Sequence, residues 1–213
     1  MFTCRAILAT ALILVGLCNA QQVVPNLDDS PQLIRNVLKD AHVSGSLVYS
    51  AICKSASGRS PVVPHVGTPR RSSSPAEVLQ SMFGNRTTIR VTEEPNGLVR
   101  MAEADVPTDI LKIRIHHISF AHAEAEPISG PPFALVKILA APEVEAFMKE
   151  HDIRTGAFRI EGIYPRLPDI PGELYDVTVS EALDYVLRSF PGYWVYENCT
   201  SPEGTRSVNF GFY

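Results

Sequence analysis

The 213-residue chain lacks several features that would mark common functional classes. Positive charge is scarce: 19 Lys and Arg stand against 23 Asp and Glu, for a net charge of −4. A nucleic-acid binder working by bulk basic charge is therefore excluded. Past residue 20, no apolar run reaches the ~20 residues that a helix needs to cross a bilayer. There is no Cys-x-x-Cys pair to suggest a redox motif or a paired-cysteine zinc site. A Gly-x-Ser-x-Gly elbow is also missing, as is a glycine-rich phosphate loop. Only four cysteines occur, and Cys4 and Cys18 lie within the first 20 residues.

Those 20 residues, MFTCRAILATALILVGLCNA, have the three-part layout of a secretory signal. Arg5 supplies the positive start, Ala6 to Leu17 the apolar stretch, and Cys18-Asn19-Ala20 the small residues at −3 and −1 of a cut before Gln21. Retention of this segment as an anchor, or lipid attachment at Cys18, is the alternative, although Leu17 is larger than an acylation site expects. The mature chain is thus expected in the periplasm or outside the cell, with no transmembrane segment after cleavage. In such a compartment thiols pair, so Cys53 and Cys199 are disulfide candidates. The other reading is two separate buried thiols.

What is present is a pattern that returns. Ser74-Pro75-Ala76-Glu77 combines a capping residue, a proline at the first helical position and a glutamate at N3, which together start a helix. Val78, Leu79, Met82 and Phe83 form its apolar stripe, and Gly84 can end it. Thr178-Val179-Ser180-Glu181, followed by Ala182, Leu183, Val186 and Leu187, repeats the arrangement 104 residues later. Each helix leads into a hairpin pattern. The first turns at Pro95-Asn96-Gly97 and the second around Pro202-Glu203-Gly204. Upstream, Ser30-Pro31 and Ala141-Pro142 each open a helix, with Gly45 and Gly156 preceding the next apolar stretches.

The pattern predicts an α+β fold of two similar small units, each with two helices packed on short antiparallel or mixed sheets. The units are expected over 21–105 and 106–213. Residues 54–74, with six serines, three prolines and no acid, are expected as a mobile loop. Leu111, Ile113 and Ile115 alternate with Lys112, Arg114 and His116, which predicts a strand over 109–120. Residues 124–132 are expected to be a linker.

With Glu181-Ala182-Leu183-Asp184-Tyr185-Val186-Leu187 and, in part, Glu77-Val78-Leu79, each unit resembles the short N-terminal domain of secretins and TonB-dependent receptors. That resemblance implies an extracytoplasmic module that contacts protein partners of the cell envelope. The chain departs from the family in carrying neither a secretin core nor a receptor barrel.

Few side chains suggest chemistry. His116, His117 and His122 cluster in sequence near Glu124 and Glu126, a donor set suited to zinc or copper. On a strand, however, His116 and His117 face opposite sides, and His116 and His122 stand ~20 Å apart. Glu93-Glu94 and Asp28-Asp29 sit where turns and helix starts attract negative charge. Phe190, Tyr193, Trp194, Tyr196, Phe210, Phe212 and Tyr213 are dense enough to form a binding surface, though core packing explains them as well. The expectation is an exported, non-catalytic binding or assembly module without a cofactor. A metal-binding protein or metal-dependent enzyme using His116, His117 and His122 is the alternative.

Overall fold

The computed structural model describes residues 30–53, 63–70, 72, 74–84, 88–121, 130–156, 159–160 and 169–213. The leader, Asp28-Asp29, His122, most of the 124–132 linker and the first nine residues of the 54–74 segment lie outside these.

A proline-started stretch with apolar residues four apart makes α1 (Ser30–Asp40), which buries Ile34 and Leu38. The chain leaves α1 through His42 in the left-handed region, φ 56°, with Val43 N–H donating to the Leu38 carbonyl at 3.0 Å. It then enters β1 (Gly45–Ile52), followed by α2 (Pro75–Phe83) and the hairpin β2 (Ile89–Glu93) and β3 (Val99–Glu103). The later half contains β4 (Arg114–Ser119), α3 (Gly130–Leu139), α4 (Pro142–Glu150), β5 (Arg154–Thr155), β6 (Arg159–Ile160) and β7 (Glu173–Thr178). It ends with α5 (Val179–Val186) and the hairpin β8 (Tyr193–Thr200) and β9 (Arg206–Phe212).

The expected α+β class is observed. One mixed seven-stranded sheet runs β2-β3-β1-β8-β9-β5, with β6 also on β9, and β4 pairs with β7 in a separate ribbon. The segments expected as two units therefore do not each have a sheet of their own. They meet along a parallel seam, β1 against β8, from Gly45↔Tyr193 to Ile52↔Thr200.

Strand alternation divides the core between the two faces of this sheet. Leu47, Val99, Met101, Tyr193 and Val195 face α1 and α2, packing on Ile34, Leu38, Leu79, Met82 and Phe83. Val48, Trp194, Tyr196, Val208, Phe210 and Phe212 face the other way, onto α3, α4, α5 and the β4–β7 ribbon. The C-terminal aromatics are thus core. Even Tyr193 and Tyr213 are buried, stacked with ring centroids 5.3 Å apart.

Several local expectations need correction. The capping box forms at Thr178, whose Oγ1 accepts from Glu181 N–H while Glu181 Oε2 accepts from Thr178 N–H at 2.7 Å. At Ser74 it does not form, because the Ser74 hydroxyl donates instead to Glu93 on β2 at 2.9 Å. Part of the expected mobile loop is packed: Val63, Pro64 and Val66 are buried. Val63 and Val66 join the α1–α2 core, and Val66 N–H donates to Ser30 Oγ at 3.2 Å. The expected strand over 109–120 begins as a 3₁₀ turn, Ile110–Lys112, because both Ile110 and Leu111 are buried. Helix α3 begins at Gly130, inside the segment expected as a linker.

Beside the strand seam, an ion pair ties the halves together. Arg100 on β3 makes a two-point pair with Asp184 on α5, and Asp184 also accepts from the Trp194 indole at 2.7 Å. At the start of β1, a Cβ on Gly45 would lie 2.4 Å from the Val99 carbonyl oxygen. That oxygen belongs to the neighbouring backbone and cannot rotate away. Gly45→Ala should therefore destabilise the fold by about 1–3 kcal/mol, read as a lower urea midpoint.

Candidate cysteine–carboxylate centre

Parallel pairing of β1 with β8 and antiparallel pairing of β8 with β9 align residues in rows across three strands. One row is Tyr49, Glu197 and Asn209; the next is Ala51, Cys199 and Ser207. Glu197 and Cys199 are two apart on β8, so both point to the same side of the sheet. Cys53 follows the last residue of β1, and its N–H continues the ladder by donating to the Thr200 carbonyl at 3.1 Å.

This brings the two cysteines together, with Cα atoms 5.7 Å apart and the sulfurs joined as a disulfide. Both are buried. Beside them lies the fully buried carboxylate of Glu197. Its Oε2 accepts from the Tyr49 hydroxyl at 2.7 Å and its Oε1 from the Asn209 amide at 2.9 Å. The Cys53 sulfur is 3.7 Å from the same Oε1. Burial, and then the Glu197 charge, push the Tyr49 phenol well above its ordinary pKa, so it remains a proton donor to the carboxylate.

One sulfur from each cysteine and one oxygen of Glu197 lie within 4.8 Å of one another, close enough to hold a single metal ion. This overturns the expectation that the chain carries no reactive constellation and is therefore not an enzyme. Reduced to thiolates, the two cysteines would join the carboxylate in a three-ligand set, and a zinc ion with three protein ligands has a fourth position left for water or substrate. Cys53 and Cys199 were singled out in the sequence, but Glu197 was not. The available signal was the one charged residue of this strand, two positions before Cys199.

The histidines are arranged differently. His116 Nδ1 lies 3.1 Å from Asp176, while His117 Nε2 lies 3.3 Å from Glu173 and its ring stacks on Tyr175. Each imidazole has its own carboxylate, and the only metal-capable cluster among the described residues is the one at Cys53. Two clefts on the α5 side have volumes of ≈ 500 and ≈ 320 Å³. Arg100, which lines the second, is committed to Asp184.

No protein-family model, curated protein or solved structure matches the chain.

The hydrogen bond that it donates to Asp176, and then the Glu143 charge, hold the exposed His116 imidazolium above its ordinary pKa. Its contribution to stability is complete below the ordinary imidazole value and is lost as pH rises through the raised one. Proton NMR should find His116 titrating above its ordinary ~6.5, and Asp176→Asn should lower its midpoint. An unchanged midpoint in that variant would contradict the assigned cause.

Proposed function

We propose that the protein binds a thiophilic divalent cation of the zinc class through Cys53, Cys199 and Glu197. The supporting observation is the convergence of two buried sulfurs and a buried carboxylate on one side of the β1–β8 seam. Thiolate ligands select soft and borderline metals, and a hard oxygen-seeking ion such as Mg²⁺ is disfavoured by this set. A bound dication would also balance the negative charge that the strands bury there, which would otherwise be costly. Because both sulfurs are enclosed, loading belongs to folding of the reduced chain, with metal binding and folding coupled. Tyr49 holds Oε2 of the carboxylate and Asn209 holds Oε1, as outer-shell partners of metal ligands do.

The leader supports an exported chain, where the two sulfurs meet oxidising conditions. Connectivity also supports an internal repeat. In sheet order, β2-β3-β1 and β8-β9-β5 place a hairpin ahead of the strand that follows each half's proline-started helix. Helices α1 and α4 end alike: Asp152 is left-handed at φ 47°, and Ile153 N–H donates to the Met148 carbonyl at 2.8 Å. That is the α1 ending displaced by 110 residues. The second half is flipped relative to the first, so α1–α2 and α4–α5 cover opposite faces of the sheet.

Metal analysis of the untagged chain, folded under reductant with Zn²⁺ and then dialysed, tests the proposal. One zinc per chain is expected, with none retained by Cys53→Ser or Cys199→Ser. Tyr49→Phe should keep the site but weaken it by about 10–100-fold in competition with a chromophoric chelator. Zinc-free wild-type protein that is nevertheless reduced and folded would overturn the reading.

A further inference from the structure

We infer that the centre is a two-electron redox switch, in which a small peroxide oxidises the metal-bound cysteines to the Cys53–Cys199 disulfide and expels the cation. This rests on the metal reading above and adds how the site is regulated. The same two sulfurs that lie within 4.8 Å of Glu197 as metal donors have Cα atoms 5.7 Å apart, inside the disulfide range of ~4.4–6.8 Å. Both states are therefore reachable from one backbone arrangement. They exclude each other, because a metal needs the sulfurs as thiolates and a disulfide removes that charge.

The surrounding strands keep the pair in place in either state. Cys199 lies within β8, which pairs along its length with β1 and β9, and Cys53 is fastened to the same strand through its N–H bond to Thr200. Loss of the metal therefore leaves the sulfurs side by side. Burial of both cysteines selects a small oxidant over a bulky disulfide.

The reaction balances as follows. One thiolate attacks a peroxide oxygen; a sulfur–oxygen bond forms, the oxygen–oxygen bond breaks, and hydroxide leaves. The second thiolate attacks the resulting sulfenic sulfur; the sulfur–sulfur bond forms and a second hydroxide leaves. Each sulfur has lost one electron, and the peroxide has gained two. The two hydroxides pass to solvent, where buffer acid neutralises them, and the cation, left with the carboxylate alone, follows. Because both sulfurs are enclosed, reversal belongs to the opened chain: a dithiol reduces the link there by thiol–disulfide exchange, and refolding with the cation restores the metal donors.

The test uses the full chain without a histidine tag and with Cys4→Ser and Cys18→Ser, so that Cys53 and Cys199 are its only cysteines. Reduced protein carrying Zn²⁺ is freed of reductant and titrated with hydrogen peroxide beside a chromophoric zinc chelator. The expected result is release of one zinc and loss of two thiols per peroxide consumed. Peptide mapping should then show a Cys53–Cys199 link with no added oxygen, and unfolding with dithiothreitol followed by refolding with Zn²⁺ should restore zinc binding. Zinc retained through excess peroxide, or zinc lost with oxygen added to the cysteines in place of the link, would overturn the switch while leaving the metal reading intact. Reduced protein that never takes up zinc would overturn both at their shared premise.

Discussion

The parallel pairing of β1 with β8 is the constraint on which the rest of the structure depends. It joins two stretches of chain 148 residues apart in a register unbroken from Gly45↔Tyr193 to Ile52↔Thr200. A one-residue slip would turn every side chain of β8 to the opposite face. Tyr193 and Val195 would leave the α1–α2 core, Trp194 and Tyr196 would leave the α5 core, and Glu197 and Cys199 would no longer share a side with Tyr49. Core and chemical centre are fixed by the same ladder.

That coupling explains how a polar cluster is tolerated deep in the protein. A buried carboxylate is destabilising unless its oxygens are satisfied, and here both accept hydrogen bonds from neighbours in the same cross-strand row. The row is held by main-chain bonds on both sides, so the acceptor geometry costs little further ordering. A disulfide across the seam joins residues 146 apart in sequence, restricting the unfolded chain by closing a very long loop. A shared metal ion imposes a similar closure. In either state the centre reinforces the ladder that positions it.

Much of the architecture was legible where local chemistry and tertiary packing agree. Pro31, Pro75 and Pro142 marked helix starts, and Asn96-Gly97 marked the first hairpin, whose Gly97 takes φ 80°. The pairing of Cys53 with Cys199 was among the readings that the sequence allowed. The joining of strands from both halves in the seven-stranded sheet was hidden because strand order depends on contacts between distant segments. The strand expectation over 109–120 failed at its start because burial of the adjacent Ile110 and Leu111 favours a 3₁₀ turn over alternation. Ser74 kept its helix but lost its cap to Glu93, a partner that only the fold brings near. The histidines attracted attention by their proximity in sequence, yet β4 directs His116 and His117 to separate carboxylates. Glu197 drew none, although its two-residue spacing from Cys199 carried the relevant geometric information.

Zinc K-edge absorption on the reduced, zinc-loaded chain tests the central claim most directly. Two sulfur scatterers at about 2.3 Å and an oxygen shell at about 2.0–2.2 Å are expected. A shell of nitrogen and oxygen alone, with the outer scattering of imidazole rings, would contradict it and place the metal elsewhere.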